Sequence, residues 1–510
     1  MIKNSLKIIL VILTKITTQS RSQIREPNPS PGHDNQPKPV APKLNQTELE
    51  ACFEHYISPS AYQIKLKIEC TEANQTCKTK SGNLKYDIIK ISVSSQCSKV
   101  IQEKGLNLNF EVNALFITNS EVIFNLINVK LIIRETTIRS QKIYIESADQ
   151  LVVGTLINYN FLYINANGTA VFERADITTK TGACTGDDYK SIYNFSHLRS
   201  PPDPQDYLPY TIYDDYIRMT GRIFDTISQK KLFFLASKNL YLKNTTRIRG
   251  NILWFINLLN LTDRSFITSR LSGCLDSSKV SKIPGFFLSH SFDCGLNGGS
   301  YGGRGGIGIT RSNLTAGNIH CIKSSISSMS TYGDAIKPWD FGSLGSPSSS
   351  FSETDIASSG TITILVNTLY LSDSSKLFSG FHHDIYNKKS IDSGGSVFIE
   401  GYKFYINGEI TANGQNSIDA VNGAGGGGRI FINNLYWYEG NMSNSSSEMF
   451  VRQGQSERKG QIIGQTKDIL FGKFSLVEAK PGLRPPLPEK FKDYEEIVRA
   501  QPGSKPKIIF

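Results

Sequence analysis

The sequence lacks long hydrophobic runs, helical periodicity and closely spaced cysteine pairs. After the first residues, no stretch reaches about 18 apolar residues, so neither a transmembrane anchor nor a lipid-anchor tail is predicted. No Cys-x2–4-Cys pair occurs, which argues against a zinc site. Amphipathic helical periodicity is nearly absent between residues 106 and 450. We therefore expect no metal, no cofactor and no helical bundle.

The net charge of +11 is concentrated at the two ends of the 510-residue chain. Residues 1–43 carry +5, residues 451–510 carry +5, and the part between them carries only +1. Nucleic-acid binding needs clustered cations that follow the phosphates, and the central part of the chain has no such excess. Nucleic acid is therefore not an expected partner.

The amino-terminal residues have the pattern of a targeting segment followed by a linker. Residues 1–22 contain Lys3 and Lys7 before the apolar run 8–13, which predicts a signal peptide. Residues 23–43 contain six prolines and few apolar side chains, which predicts an extended Pro-rich linker. At the other end, residues 451–510 are predicted to be a basic, partly disordered tail.

Cysteines and glycosylation motifs both favour an oxidising, extracellular compartment. The eight cysteines fall into two even-numbered clusters, and the four in residues 44–105 allow three pairings. Disulfide candidates are Cys52, Cys70, Cys77, Cys97, Cys184, Cys274, Cys294 and Cys321. The Asn-x-Ser/Thr candidates for glycosylation are Asn45, Asn74, Asn167, Asn194, Asn244, Asn260, Asn313, Asn441 and Asn444. The predicted location is secreted or on the extracellular surface.

Short β-rich runs closed by turn residues dominate the chain after the linker. Residues 44–105 are predicted to form a small disulfide-bearing segment with a short helix over residues 46–55. From residue 106 to 450, strands follow one another without helices, as at residues 142–145, 162–164 and 239–242. The predicted class is all-β, which means a sandwich, a barrel or a solenoid.

A repeat in the carboxyl-terminal third favours the solenoid. Gly360, Gly395 and Gly428 each open a segment of the form Gly-polar-β-x-β, and the two spacings between them are nearly equal. Strand–turn–strand units at a near-constant spacing are typical of a parallel β-helix. Residues 106–450 are therefore predicted to form one, with a β-sandwich as the alternative.

Two glycine-rich segments match G-x-G-x-x-G without its structural context. Eight of the fifteen residues 294–308 are Gly, but no helix of a βαβ unit follows, so dinucleotide binding is not predicted. The hypothesis is that backbone packs on backbone where side chains cannot fit. The proposed structural glycines are Gly298, Gly299, Gly302, Gly303, Gly305, Gly306, Gly425, Gly426, Gly427 and Gly428.

These segments carry a resemblance to a known family. Gly-Gly-Ser-Tyr-Gly-Gly-Arg-Gly-Gly at 298–306, residues 332–343, 393–399, 408–414 and 425–432 resemble, in this order, the motifs of glycine-rich surface proteins of ciliates and other protists. The resemblance spans roughly residues 230–435 and implies parallel β-helices at a cell surface. Tyr301 stands where that signature customarily has His, and Leu344 and Ser346 interrupt its glycine run.

The favoured function is structural or adhesive, with glycans or surface and coat proteins as partners. The alternatives are a polysaccharide lyase or hydrolase on the same scaffold, and a cytoplasmic scaffold. Catalysis on a polysaccharide needs convergent carboxylates, and the catalytic residues remain unknown. The sequence offers only acid pairs that alternate across a strand, a His-His-Asp run and an aromatic cluster. They are Asp187, Asp188, Asp214, Asp215, His382, His383, Asp384 and residues 436–438.

Overall fold

The computed structural model describes residues 43–57, 67–72, 74–80, 88–112, 116–179, 231–273, 298–302, 305–306, 338, 340–345, 358–380, 392–417, 423–434, 461–463, 469–471 and 476–478. These residues form two helices and 21 strands, and the strands belong to one sheet. The predicted all-β class is therefore confirmed.

Helix α1 (Gln46–Ala51) begins at a reciprocal cap. Asn45 Oδ1 accepts a 2.9 Å hydrogen bond from the Glu48 N–H, and the Glu48 carboxylate accepts one from the Asn45 N–H. The prediction of helix over residues 46–55 is wrong after Ala51, because strand β1 (Phe53–Ile57) follows almost at once. β1 forms by pairing with a strand much further along the chain, which local sequence does not reveal.

Helix α2 (Ser95–Lys104) was not predicted, although it has clear end signals. The Ser94 Oγ accepts a 3.2 Å hydrogen bond from the Cys97 N–H, and Gly105 ends the helix with a φ of 59°. Only Cys97 and Ile101 are buried among its ten residues, so the helix lies on the surface of the sheet.

The strands pair mostly in parallel. Only β1–β4 and β2–β3 are antiparallel among the described pairs. In chain order the remaining strands are β2 Lys67–Thr71, β3 Thr76–Lys80, β4 Ile88–Val93, β5 Leu108–Val112, β6 Phe116–Asn125, β7 Val129–Tyr159, β8 Phe161–Glu173, β9 Asp176–Thr179, β10 Leu232–Lys243, β11 Arg247–Arg249, β12 Ile252–Leu261, β13 Phe266–Thr268, β14 Thr361–Leu371, β15 Lys376–Phe378, β16 Ser396–Ile406, β17 Glu409–Thr411, β18 Arg429–Asn434, β19 Gln461–Ile463, β20 Ile469–Phe471 and β21 Leu476–Glu478.

Two long ladders of parallel strands organise the sheet. The first joins β4, β6, β7, β8, β10, β12, β14, β16, β18 and β19 in that order. The second joins β7, β9, β11, β13, β15, β17 and β21. The 31 residues of β7 pair with β5, β6, β8 and β9 along different parts of their length, so β7 belongs to both ladders. Because β7 joins the two ladders, their strands belong to one parallel sheet that is nearly closed on itself.

In-register pairing stacks like residues above one another and builds the core. One such row occupies the first ladder, and each member is at most 1% exposed. Its members are Ile89, Val122, Ile143, Leu162, Phe233, Ile252, Ile362, Val397 and Ile430. A second buried row lies two positions further along each strand, because alternate strand residues share a face. Burial of each such side chain contributes about 1.5–3 kcal/mol.

The predicted repeat corresponds to neighbouring strands of this ladder. Thr361, Ser396 and Arg429, which follow the three repeat glycines, pair with one another in register. The spacing elsewhere is variable, because Ile252 pairs with the nearby Phe233 on one side and with the distant Ile362 on the other. Long insertions therefore enter between strands without disturbing the register.

The amino-terminal strands cover the first edge of the sheet. β1 runs antiparallel along β4, and β2 runs antiparallel along β3. Disulfides hold both strands in place: Cys52 bonds to Cys97 and Cys70 to Cys77, with Cα–Cα distances of 5.0 and 4.0 Å. The structure thus selects one of the three pairings. β1 and β2 are therefore the terminal strands here, and each pairs with a single neighbour among the described strands.

We expect the two disulfides to differ in their contribution to stability. The Cys52–Cys97 bond closes a 45-residue separation and the Cys70–Cys77 bond one of 7 residues. Because the longer loop loses more chain entropy, replacing both cysteines by Ser should cost about 4 kcal/mol for the first pair and about 2.5 kcal/mol for the second. Urea unfolding followed by circular dichroism measures both losses. A larger loss for the short loop would contradict this account.

Candidate functional site

The glycine-rich segments lie close together where the chain passes from strands of the second ladder back to strands of the first. We call these segments the glycine bundle: residues 298–302, 305–306, 341–345, 392–395, 412–417 and 423–428. Within it, a Cβ added at Gly298 would overlap the carbonyl oxygen of Ala424. One added at Gly302 would overlap that of Gly428, and one at Gly425 that of Asp392. Only glycine allows the backbones to approach this closely.

Backbone hydrogen bonds connect the segments of the glycine bundle. The Gly306 N–H donates to the Ala424 carbonyl at 2.7 Å, and the Gly426 N–H donates to the Gly299 carbonyl at 2.9 Å. Added Cβ atoms at Gly299, Gly305 and Gly428 would also meet backbone atoms. Gly427 is buried in the same bundle, and Gly303 lies outside the described residues. Main-chain hydrogen bonds therefore connect segments that follow several different strands.

Tyr301 is sealed inside the glycine bundle. It is fully buried, its hydroxyl is hydrogen-bonded to Ser396 Oγ at 2.6 Å, and that Oγ donates to the Asp340 carbonyl at 2.6 Å. The guanidinium of Arg429 lies 5.3 Å from its ring centre. Burial, with the nearby Asp340 charge, raises the pKa of Tyr301 far above its ordinary value. The phenol stays protonated at neutral pH and has a packing role here.

Five of the nine glycosylation motifs lie in the described residues, and their surroundings differ. Asn45, Asn74 and Asn167 are exposed, the first at the cap of α1 and the second in a turn. Asn244 and Asn260 are half-buried, and the backbone of Asn244 is left-handed, with a φ of 50°. The other four motifs, at Asn194, Asn313, Asn441 and Asn444, lie outside the described residues.

Tyr241, Asn260, Tyr370 and Tyr405 form an outward-facing row that we call the tyrosine face. They pair in register on β10, β12, β14 and β16, and buried apolar side chains flank each of them in sequence. Tyr370 is 40% exposed, the most of any large hydrophobic side chain in the described residues. Its ring stacks on that of Tyr405 at 4.5 Å between centres and 3° between planes. This row presents aromatic faces and an amide to solvent.

Sequence reasoning did not identify the tyrosine face, although one signal was present. Tyr370 and Tyr405 have the same spacing in the chain as Gly360 and Gly395. If the repeat that begins at these glycines had been extended to the outward-facing positions, it would have predicted that the two tyrosines pair. Asn260 could not have been added, because a long insertion separates it from its partner Tyr370.

Two half-buried carboxylates lie outward on the amino-terminal part of the first ladder. Burial raises the pKa of Glu121 and of Glu146, and the nearby Lys142 and Lys90 respectively oppose this effect. Glu121 pairs with Lys142 in register, which places Glu146 four positions further along the neighbouring strand. That offset is about 13 Å along the strand. The carboxyl groups of glycoside hydrolases are about 5–9.5 Å apart, so this pair does not fit the reaction.

We expect Glu121 and Glu146 to make stability depend on pH in one direction. Because their folded-state pKa values are raised, the contribution to stability is fully present below the ordinary value of 4.5 and is lost as pH rises through the folded values. The double variant E121Q/E146Q should therefore lose less stability than the wild type between pH 4.5 and neutral pH. Melting temperatures across that range measure this. An unchanged pH profile would contradict it.

The remaining predicted site residues lie outside the described residues. They are Cys184, Cys274, Cys294, Cys321, Asp187, Asp188, Asp214, Asp215, His382, His383, Asp384 and residues 436–438. Within the described part of the chain, no three His, Cys, Asp or Glu residues group so that they could hold a metal ion. In the same part, no helix is long and apolar enough to cross a membrane.

The glycine bundle joins insertions to the sheet, and the tyrosine face offers aromatic rings and polar groups to solvent. Comparisons of the chain with known protein families, with curated proteins and with solved structures find no match.

Proposed function

We propose that the chain is a secreted or cell-surface structural glycoprotein whose body is a parallel β-helix that binds glycans or other surface proteins. The observation that carries this proposal is the in-register row of nine aliphatic or aromatic residues from Ile89 to Ile430. Rows of this kind are typical of solenoids, in which each coil buries its inward side chains against its neighbours. Such a body presents long, regular outer faces.

The amino-terminal edge supports a structural role outside the cell. Capping segments protect the ends of solenoids from edge-to-edge association, and β1 and β2 occupy that position here. Both caps are fixed by disulfides, which persist in oxidising compartments. The exposed motifs at Asn45, Asn74 and Asn167 are compatible with glycans on the surface of this body.

The tyrosine face supports contact with carbohydrate. Tyrosine supplies an apolar ring and a polar hydroxyl in one side chain, so it serves surfaces that are partly wet. Tyr370 and Tyr405 display such rings beside the half-buried Tyr241 and Asn260. Lys403, exposed two positions before Tyr405, adds a hydrogen-bond donor to the same face.

The proposal is tested on protein purified from the cells that produce it. We expect mass spectrometry to find the amino-terminal peptide removed, both described disulfides formed and glycan mass on several motifs. Antibodies against the full chain should label cells that have not been permeabilised. An unprocessed, unmodified chain detected only inside permeabilised cells would overturn the proposal.

A further inference from the structure

We propose that Asn260 carries an N-linked glycan whose first sugar ring lies in a slot between the side chains of Tyr241 and Tyr370. This inference rests on the proposed function, because the modification requires the secretory route. It assigns to the tyrosine face an occupant that belongs to the chain itself. The shared chemistry, a pyranose ring against tyrosine, would also suit a free glycan, and the experiment below separates the two sources.

In-register pairing sets the width of the slot. Asn260 pairs with Tyr241 on one side and Tyr370 on the other, so the two tyrosines lie two strand spacings apart. Two spacings are about 9.6 Å. A ring above Asn260 would lie about 4.8 Å from each tyrosine, within the range of about 4.5–7 Å at which rings stack. The Asn260 side chain is shorter than either tyrosine, and the Lys243 ammonium lies 5.2 Å from the centre of the Tyr241 ring.

The stacking of Tyr370 on Tyr405 directs one open ring face toward the slot. The two rings are parallel at 4.5 Å, so Tyr405 covers one face of Tyr370. The opposite face points along the ladder toward the strand of Asn260, because Asn260 and Tyr405 flank Tyr370 on opposite sides. Tyr370 keeps 40% of its surface exposed in this arrangement. An apolar ring face open to water is a site that a sugar can cover.

The Asn260 amide is free to be modified. Its side chain is half-buried and makes no hydrogen bond in the part of the chain that the structure describes. Asn244 differs, because its amide donates to Glu173 at 2.7 Å. The neighbours Leu259 and Leu261 are fully buried, which fixes the outward direction of Asn260.

Thr262 completes the glycosylation motif of Asn260. Its hydroxyl makes only a long 3.3 Å bond to the Leu242 carbonyl and a 3.1 Å bond to Asp263. The hydroxyl therefore has no strong structural partner, and position 262 can be varied to test the motif.

The transfer would take place before the strand is paired, as the chain emerges. The co-reactant is a lipid-diphosphate-linked oligosaccharide. The amide Nδ2 of Asn260 forms a bond to the anomeric carbon of its first sugar, and the bond from that carbon to the diphosphate oxygen breaks. The lipid diphosphate leaves with the electron pair, and one amide proton passes to a base of the transferring enzyme. When β12 pairs with β10 and β14, the attached sugar is brought between the tyrosines.

The test compares glycan removal at two positions of the folded, secreted protein. Glycopeptide mass spectrometry should find Asn260 and the exposed Asn167 both occupied. An endoglycosidase that cuts within the glycan core should act about tenfold more slowly at Asn260 than at Asn167 in the folded protein, a difference of about 1.4 kcal/mol. Unfolding the protein should remove the difference.

Three variants make the result specific. Y370A should keep Asn260 occupied and bring its cleavage close to the rate at Asn167, because one wall of the slot is gone. T262A should abolish occupancy, and T262S should preserve it, which excludes a folding effect of position 262. If Asn260 is unoccupied in the wild type and an added free glycan binds saturably to the wild type but not to Y370A, the slot serves an external ligand, and that result would overturn the inference.

The outcomes also separate this inference from the proposed function. An unoccupied Asn260 with other motifs occupied, or an occupied Asn260 cleaved as fast as Asn167, would overturn the inference and leave the proposed function standing. No occupied motif together with a retained amino-terminal peptide would overturn both.

Discussion

Replacing Gly428 by Ala is expected to lower the free energy of unfolding by about 3 kcal/mol or more. The added Cβ would overlap the Gly395 carbonyl oxygen and crowd the backbone of Gly394, and neither is a flexible side chain that can move away. The Gly428 N–H also donates to the Ala412 carbonyl at 2.7 Å, so a shift of the chain would break this bond. Thermal and urea unfolding of the purified variant measure the loss.

Gly105 provides the matched control for this substitution. It has a φ of 59°, and a Cβ there would meet no atom within 4 Å. G105A therefore carries only the cost of the left-handed backbone, about 1–2 kcal/mol. Equal losses in G428A and G105A would show that close packing of main chains is not what makes glycine necessary in the bundle.

Replacing Trp254 by Ala is expected to be similarly damaging, by about 3–5 kcal/mol. Trp254 is fully buried in the second buried row of the first ladder, where it pairs with Leu235 on one side and Ile364 on the other. Its ring contacts that of Phe233 edge-on, with 5.3 Å between the ring centres. Removing it leaves a cavity that the neighbouring layers cannot fill without losing register. The loss appears in urea unfolding followed by circular dichroism, which does not depend on the deleted chromophore.

Two further variants test the cause of the Trp254 effect. W254F should cost far less than W254A, because it keeps most of the volume and removes an indole N–H that has no hydrogen-bond partner among the described residues. Y370A, which removes a large but exposed ring, should cost about 1 kcal/mol or less. A loss in Y370A as large as in W254A would contradict the assignment of inner and outer rows.

Much of the fold could be predicted from the sequence because some of the paired strands share a local sequence pattern. The Gly-polar-β-x-β segments at Gly360, Gly395 and Gly428 identified three strands that pair in register. Of the earlier strands in the same ladder, β12 has Gly250 at the equivalent position, but β8 and β10 have Asn160 and Lys231 there, and the lengths of chain between these strands differ several-fold. The helix predicted over residues 46–55 was too long for a related reason, because β1 forms by pairing with β4, which is distant in the chain.

The candidate site was less predictable, because it depends on which strands become neighbours. The glycine-rich segments were recognised as places where side chains do not fit, but their partners, such as Ala424 for Gly298, follow only from the fold. Asn260 was recognised as a glycosylation motif, whereas its position between Tyr241 and Tyr370 follows from pairing across a long insertion.

The long insertion between β12 and β14 also sets the order in which the molecule can assemble during synthesis. Val122, Ile143 and Leu162 follow one another closely in the chain, so their loop-closure entropy is small and their strands can pair early. The strand of Ile252 must wait until residue 362 has been made before its second edge is covered. A growing chain therefore passes through a stage in which a capped amino-terminal half ends in one unprotected hydrogen-bonding edge, the stage most exposed to pairing with another chain.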